Sequence, residues 1–330
     1  MKNGHGFSWR REIDTQHQLE YFILGYDGRR GGGMNLEAWI TPMVGSNLCR
    51  LSVDGKNVID FNPDLLRRDF TGTPVLYPTP NRVRDGVFRY QGQDYPQVLR
   101  GTPIFEHGLV HGEAWQHHEP QIRPESISLV TWLDFDPGND LYASFPFHHR
   151  LSMKFTLTRT SLTVTYSLDN KDTRVLPFGF GLHPYFSRLG GDAGTFVELP
   201  AEFVMESTPD LLPTGMLCEV NGTPFDLRAP RPVGALDLDH VFTGIPDRKY
   251  AVVSYPDLGL RVRMVTTQDF THLVLYSPPG VGYLCLENQT CSTDAHNLYE
   301  RGYVSESGLK FVEPGNIHTG SVTYLVIKEG

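Results

Sequence analysis

The sequence predicts an all-β fold in which many short antiparallel strands form one large sandwich or barrel. Apolar residues alternate with polar residues over several segments, turn signals separate those segments, and amphipathic helical patterns are few and short. The 33 Gly and 24 Pro are spread along the chain rather than gathered in one linker. Turns are therefore expected throughout the fold, as in sheets built from short strands.

The clearest alternation occupies residues 151–157 and 162–168, where every second residue is apolar. The polar residues Arg159-Thr160-Ser161 separate the two halves. Side chains on a strand point alternately to opposite faces of the sheet, so a period of two places the apolar side chains on one face. The segment predicts a β-hairpin with one buried face.

The same period predicts further strands over residues 127–135, 258–264 and 322–326. Residues 64–68 and 293–301 are each predicted to hold one or two turns of helix. No shift in composition marks a boundary, so a single domain over residues 1–330 is expected. Its first ~30 residues contribute least to this assignment, because chain ends often pack loosely.

The charge balance disfavours a nucleic-acid partner. The chain carries 29 basic and 38 acidic residues, a formal net charge of −9, and an acidic surface repels a phosphate backbone. No run has the length of a membrane-spanning helix, and residues 1–11 lack the apolar core of a secretory signal. We expect a cytoplasmic protein without membrane contact, either a monomer or a homodimer.

The four cysteines do not predict a metal site. Cys49, Cys218, Cys285 and Cys291 form no C-x-x-C pair, and no Cys/His cluster has the spacing of a zinc site. Reduced thiols are expected in a cytoplasmic protein. No motif for an organic cofactor is present either, so no cofactor is predicted.

Two segments combine basic or imidazole side chains with Pro or Gly. In residues 77–82, two prolines hold the chain extended before Asn81 and Arg82. The Arg82 guanidinium suits hydroxyl or carboxylate ligands, although an ion-paired surface Arg is the alternative. In residues 107–115, His107 precedes Gly108, where the backbone can approach a ligand closely. A structural or surface His is the alternative at that position.

Two further segments place a titratable group within apolar sequence. His183 lies in the aromatic run 178–186, where burial would orient the imidazole and shift its pKa. A core His bonded to a backbone carbonyl is the alternative. Glu287 ends the apolar strand 283–287, and Glu is rarely buried without a partner or a function. A strand-end Glu turned to solvent is the alternative.

In this order, the segments resemble the aldose 1-epimerase (galactose mutarotase-like) family over most of the chain. No one motif is specific, but the ordered set is. It comprises Asn81-Arg82, His107-Gly108 with Trp115, His183-Pro184-Tyr185-Phe186, Leu212-Pro213-Thr214-Gly215, Asp239-His240-Val241-Phe242 and Glu287-Asn288-Gln289-Thr290. The resemblance implies a large antiparallel β-sandwich, a supersandwich with an open cleft across one sheet.

The resemblance also implies roles for individual residues in mutarotation, which opens a pyranose ring and closes it on the other face of C1. Glu287 would act as general base and His183 as general acid. A carboxylate suits the removal of the O1 proton, and an imidazolium suits the delivery of a second proton to the ring oxygen O5. The residues that would bind the hydroxyls of the sugar substrate are Arg82, His107, Asp239 and Asn81.

Departures from the family pattern leave other functions open. Asn288 stands where the family usually has Pro, and His111 stands where the hexose-6-phosphate branch often has Arg. A hexose-6-phosphate 1-epimerase is still an alternative, with Arg82, Arg84 and Arg89 as candidate phosphate ligands. A non-catalytic carbohydrate-binding or sugar-sensing protein is a second. A glycoside hydrolase that uses Asp239 and Glu287 as its carboxylate pair is a third.

Overall fold

The computed structural model describes residues 6–29, 33–247 and 250–329. Strands dominate these ranges and are short, as the distributed turn signals predict. In chain order the strands are β1 Phe7–Asp14, β2 Leu19–Tyr26, β3 Leu36–Thr41, β4 Asn47–Val53, β5 Lys56–Ile59, β6 Val75–Leu76, β7 Val87–Tyr90, β8 Gln93–Pro96, β9 Val98–Leu99, β10 Thr102–Pro103, β11 Gln116–His117, β12 Gln121–Ile122, β13 Ile127–Phe135, β14 His149–Leu157, β15 Ser161–Asn170, β16 Leu176–Phe178, β17 Gly181–Leu182, β18 Tyr185–Ser187, β19 Phe196–Glu198, β20 Phe203–Ser207, β21 Pro213–Glu219, β22 Arg231–Pro232, β23 Leu238–Thr243, β24 Ala251–Tyr255, β25 Leu260–Thr266, β26 His272–Ser277, β27 Tyr283–Gln289, β28 Lys310–Val312 and β29 Ile317–Lys328.

Helices are few and short in the described ranges. The α-helices are α1 Asp140–Ser144, α2 Gly191–Gly194, α3 Ala295–Glu300 and α4 Val304–Ser307. Single 3₁₀ turns occupy Arg84–Gly86, Val233–Ala235 and Pro256–Leu258. Within the part of the chain that the structure describes, no helix is long and apolar enough to cross a membrane.

Two large antiparallel sheets form a sandwich. The first has 13 strands in the order β1-β2-β3-β4-β5-β18-β27-β26-β23-β20-β21, with β17 bridging β27 and β6. The second has 10 strands in the order β11-β13-β14-β15-β29-β25-β24-β19-β22, with β12 added beside β13. The prediction of a large antiparallel β-sandwich with few helices is confirmed.

The core fills the space between the two sheets. Leu24 and Leu51 from the first sheet join Leu151, Met153 and Val322 from the second in one buried apolar cluster. Each fully buried side chain of this size contributes roughly 1.5–3 kcal/mol. Strands β14 and β15 pair from 149↔170 to 157↔162, so the predicted hairpin is confirmed, with its alternating apolar side chains facing the core.

Two predicted elements have different structures. Residues 64–68 form hydrogen-bonded turns instead of a helix. The Arg68 guanidinium bonds the carbonyl oxygen of Asp64 at 2.7 and 2.9 Å, while the Arg68 N–H bonds Leu65. In an α-helix the Arg68 N–H would donate to the Asp64 carbonyl oxygen, but the Arg68 side chain occupies that acceptor instead. Strand β25 begins at Leu260 rather than residue 258, because Pro256–Leu258 forms a 3₁₀ turn and Gly259 is left-handed.

Other expectations match. Helix α3 lies inside the predicted segment 293–301, and β13 and β29 cover the predicted strands 127–135 and 322–326. Residues 7–26 form the hairpin β1–β2 at the edge of the first sheet. Residues 1–5 and 30 of the N-terminal region lie outside the described residues. The four cysteines are free thiols, three of them buried. Organisation as a single domain stays a prediction.

Alternation along the central strands of the first sheet creates its functional face. On β27, Leu284 and Leu286 point into the core, whereas Tyr283 and Glu287 point to the opposite face. On β18, Phe186 points into the core, with Tyr185 and Ser187 on the opposite face. Successive side chains leave a strand on opposite faces, so the sequence that builds the core also builds the outer surface.

Candidate active site

A cleft of about 690 Å³ lies over the outer face of the first sheet. All six side chains singled out from the sequence line it, although they span more than 200 residues of sequence. They are Asn81, Arg82, His107, His183, Asp239 and Glu287. The structure therefore brings every predicted site residue into one concave surface, of a size that suits a small polar molecule.

Two loops bring Asn81, Arg82 and His107 to the cleft. The His107 N–H donates to the carbonyl of Asn81 at 2.8 Å, and both residues have left-handed backbones, with φ of 63° and 59°. At Gly108, with φ of 73°, a Cβ would lie 2.2 Å from the carbonyl oxygen of Tyr77. Glycine is required there because the two loops pass so close together.

Glu287 and His183 form a buried pair at the floor of the cleft. The His183 Nε2 lies 3.2 Å from the Glu287 Oε1, and the side chains are 7% and 2% exposed. Gln289, two residues along β27, donates from Nε2 to the Glu287 Oε2 at 2.9 Å. The Tyr185 ring stacks on the His183 ring with centroids 5.1 Å apart. These contacts fix both groups with their reactive atoms at the cleft.

Burial shifts the two pKa values in opposite directions. Desolvation raises the pKa of Glu287 well above its ordinary value, against the Gln289 hydrogen bond and the Arg82 charge, which lower it. Desolvation lowers the pKa of His183 to about 4. Burial therefore favours a neutral pair, with the shared proton on the carboxyl group. The expected imidazolium is not the favoured form of His183 in this environment.

His107 stands beside this pair as a neutral imidazole. Its ring meets the His183 ring edge to face at 5.1 Å, and desolvation lowers its pKa well below the ordinary value. Its Nδ1 has no hydrogen-bond partner in the described ranges. A neutral imidazole in this position offers one donor and one acceptor to a hydroxyl group.

Arg82 and Asp239 lie next to each other in the wall of the cleft. The Arg82 Nη2 lies 3.6 Å from the Asp239 Oδ2, and both side chains are about one-third exposed, at 32% and 29%. The Arg82 Nη1 also donates to the Asn81 Oδ1 at 3.2 Å. Exposure leaves donor and acceptor positions of both groups open toward the cleft, where they can bind vicinal hydroxyls.

Carboxylic acids outnumber basic side chains in the lining of the cleft. Of the described lining residues, Arg82 alone is an Arg or Lys, whereas five are carboxylic acids: Asp60, Asp69, Glu106, Asp239 and Glu287. Arg84 and Arg89, the other candidate phosphate ligands, pair with Asp294 and Asp94 and do not line the cleft. No cluster of three His, Cys, Asp or Glu able to hold a metal occurs within the described ranges.

Aromatic residues that sequence reasoning missed complete the walls. Phe70 meets the rings of His107, His111 and His183 at 4.4, 4.8 and 6.4 Å. Tyr276 and Tyr283 also line the cleft. Phe70 follows an irregular turn, where no periodic pattern could assign its direction. Tyr276 and Tyr283 lie on strands of alternating pattern, which could have placed them on the face of Glu287.

Trp115, His111 and Asn288, which the sequence also singled out, lie outside the cleft lining. Trp115 is buried, and its indole N–H donates to the carbonyl of Val110 at 3.3 Å. His111 packs against the Phe70 ring, behind His107. Asn288 is buried on the face opposite Glu287 and pairs across the sheet with Leu273. These side chains support the walls, and none meets the cleft directly.

Sequence comparisons relate this chain to known proteins. The sequence model of the aldose 1-epimerase family matches residues 35–325. The uncharacterized Escherichia coli protein YihR is 27% identical over 259 residues, 77% of this chain and 81% of that protein. Galactose mutarotase from Bos taurus is 25% identical over 243 residues, 66% of this chain and 69% of that enzyme.

Solved structures show the same fold. A galactose mutarotase-like protein from Clostridium acetobutylicum superposes with a TM-score of 0.81 at 22% identity, covering 98% of this chain and 99% of that one. Galactose 1-epimerase from Lactobacillus acidophilus gives a TM-score of 0.76 at 20% identity, with coverage of 98% and 99%. Because the family model matches nearly the whole described chain, this protein belongs to the aldose 1-epimerase family.

Proposed function

We propose that this protein is a mutarotase that interconverts the α and β anomers of a free hexose. The observation that carries the proposal is the buried Glu287–His183 pair, 3.2 Å apart, at the floor of a cleft rich in hydroxyl-binding side chains. Mutarotation needs one group to take a proton and a second to deliver one at neighbouring oxygens. A fixed pair beside one sugar ring supplies both functions without diffusion.

Ring opening starts from the ionic form of the pair. The Glu287 carboxylate takes the O1 proton while the His183 imidazolium gives its proton to O5. The C1–O5 bond breaks as the C1–O1 double bond forms, so no proton is gained or lost overall. Rotation about C1–C2 then presents the other face of the aldehyde. Closure runs the transfers backward, with neutral His183 taking the O5 proton and the Glu287 carboxyl returning one to O1.

The electrostatics of the cleft fit a pair that alternates between two forms. Burial favours the neutral pair, which is the form present while the sugar is an open aldehyde. The Gln289 hydrogen bond and the Arg82 charge both lower the pKa of Glu287 and so favour the carboxylate that starts ring opening. These influences offset burial only in part, so the ionic form that starts ring opening lies above the neutral pair in energy.

The charges of the cleft favour a neutral sugar over a phosphorylated one. Apart from the neutral Glu287, a phosphate group would meet four carboxylic acids and a single Arg among the described lining residues. Arg84 and Arg89 are engaged by Asp294 and Asp94 outside the cleft. Like charges within a few ångströms cost several kcal/mol at an effective dielectric constant of about 20. Relatives described as galactose mutarotases make galactose the first sugar to test.

Anomer exchange observed by proton NMR tests the proposal. The purified protein is added to galactose, glucose and the 6-phosphates of both, and the exchange rate is compared with the rate in buffer. We expect strong acceleration on at least one free sugar and at least tenfold lower kcat/KM on its 6-phosphate. Preferential action on the 6-phosphates would contradict the assignment to free hexoses. Binding without acceleration would make the protein a sugar sensor, and cleavage of a labelled glycoside would make it a hydrolase.

A further inference from the structure

We infer that Asp294 and Asn297 are positioning residues that hold Arg82 in the cleft by clamping the backbone of residues 82–89. This inference rests on the proposed function, because it assigns the pair to substrate binding through Arg82. The two side chains themselves do not line the cleft. They act from behind it, at the start of helix α3.

The first half of the clamp is Asp294. Its N–H donates to the carbonyl oxygen of Arg82 at 3.0 Å, and its Oδ1 accepts the N–H of Arg84 at 3.0 Å. Its Oδ2 lies 3.6 Å from the Nε of Arg84. One residue therefore fixes the chain immediately after Arg82 through both its backbone and its carboxylate.

The second half is Asn297. Its Nδ2 donates to the Asp294 Oδ1 at 2.6 Å and to the carbonyl of Val87 at 2.9 Å. Its Oδ1 accepts the N–H of Arg89 at 2.9 Å. The amide thus orients the carboxylate and extends the clamp along the loop to the strand β7.

The use of Asp294 is unusual for its position. An Asp that precedes a helix ordinarily accepts an N–H from the first turn of that helix. Asp294 makes no such bond, has a left-handed backbone with φ of 55°, and has a side chain with 0% exposure. A buried carboxylate needs strong partners. Here one partner is Asn297 and the other is Arg84, which lies in a loop more than 200 residues away in sequence, so the carboxylate stabilises that loop.

The opposite side of the loop is fixed separately. The N–H of Val83 donates to the carbonyl of Phe105 at 2.7 Å, and the N–H of His107 donates to Asn81 at 2.8 Å. Arg82 is thus held between the His107 loop and the segment that follows Glu287. Loss of the Asp294 carboxylate removes the bond to the Arg84 N–H and leaves the backbone bond to Arg82 and the contacts of the opposite side, so we expect the fold to persist while the Arg82 guanidinium is held less firmly.

The test is a double-mutant cycle on galactose binding and turnover. Asp294→Ala should raise KM for galactose about tenfold and change kcat by less than about threefold. Arg82→Ala should raise KM by at least as much. The double variant should resemble Arg82→Ala alone, because residues that act through one group are not additive. Additive losses, or an unchanged KM in Asp294→Ala, would overturn the inference.

Two further variants separate positioning from general stability. Asp294→Asn retains an oxygen for the bonds from Arg84 and Asn297, so its KM should stay within about twofold of wild type. Asp172→Ala is the matched control, since Asp172 has a side chain 8% exposed and accepts the N–H groups of His148 and Arg174 outside the cleft. It should lower the melting temperature without changing KM. An equal rise in KM in the control would reduce Asp294 to an ordinary structural residue.

If Asp294→Ala does not fold, Asn297→Ala provides the same cycle with a smaller loss, about threefold in KM. Direct titration of galactose into each folded variant checks that KM follows affinity. Failure of the proposed function has a different signature, because wild type would then neither accelerate anomer exchange nor bind galactose. If wild type is active but the Asp294 and Asn297 variants keep the wild-type KM for galactose, only the positioning role is contradicted.

Discussion

Two buried histidines, His183 and His149, share nearly every local property except their access to the cleft. Both are buried, and desolvation lowers their pKa values to about 4 and about 3. His149 has both ring nitrogens occupied, with Tyr77 Oη at 2.6 Å and the carbonyl oxygen of Phe147 at 2.7 Å. His183 faces a carboxylate and the cleft, and its Nδ1 has no partner on another described residue.

A lowered pKa alone therefore does not identify a functional histidine. Desolvation depends on burial, which a core position and an active site share. What differs is the partner of the ring: a phenol and a carbonyl for His149, and a titratable carboxylate that lines the cleft for His183. His149 has both ring nitrogens bonded within the core, whereas His183 lies at the cleft beside a carboxylate with which it can exchange a proton.

The largest expected effect is a difference in activity between variants of the two histidines. His183→Asn should reduce kcat for galactose by about 10²- to 10⁴-fold, the usual contribution of a positioned acid or base. His149→Gln should leave kcat within about threefold at temperatures where it is folded. Anomer exchange by NMR on both purified variants measures the difference. An unchanged kcat with a poorer KM in His183→Asn would make His183 a binding residue instead.

The stability of the same two variants should rank in the opposite order. His149→Gln disturbs two buried hydrogen bonds, and an unsatisfied buried group costs about 1–3 kcal/mol. His183→Asn disturbs a site whose groups are already incompletely paired, so its loss should be smaller. Urea unfolding followed by fluorescence measures both. Equal losses would indicate that His183 is as structural as His149.

The pH dependence of kcat/KM tests the role of the proton that Glu287 and His183 share. The active pair carries one proton, so a second proton on His183 should reduce the rate as the pH falls through about 4. Loss of the last proton should reduce it again above the raised pKa of Glu287. The profile should be bell-shaped, and its limbs belong to the coupled pair. An acid limb near pH 6.5, where an ordinary imidazole titrates, would contradict the assignment of burial as the dominant influence.

Glu287 should also cost stability at neutral pH. Its folded pKa is raised, so its contribution is most favourable below the unfolded value of 4.5 and is lost as the pH rises toward the folded pKa. Glu287→Gln should therefore be more stable than wild type at pH 7, by roughly 1–3 kcal/mol, and the gap should shrink near pH 4. Melting curves at both pH values measure the gap. A constant gap would show that the carboxyl group does not titrate in this range.

Much of this fold was predictable because many of its strands bury one face more deeply than the other, which gives an apolar period of two in the sequence. The hairpin 151–168 shows a clean alternation, and the structure pairs it as that pattern requires. The proposed helix over 64–68 failed because a side chain, Arg68, competes with the backbone for the Asp64 carbonyl. Such competition depends on rotamers and leaves no trace in hydrophobic periodicity.

The six predicted site residues were found through the order of their motifs, since neither period nor charge could bring distant segments together. Phe70, Glu106 and Asp294 were missed for a physical reason. They lie in irregular segments, where side-chain direction is set by contacts between loops. The shift in the pKa of His183 was expected from its aromatic surroundings, but its direction required the observed burial.

The most direct test of the central claim is galactose anomer exchange by wild type beside Glu287→Gln, with galactose affinity measured on both. The acid–base account predicts that the variant binds galactose with similar affinity and loses at least about 10²-fold in exchange rate. An undiminished rate in the variant would remove Glu287 from the chemistry and contradict the account.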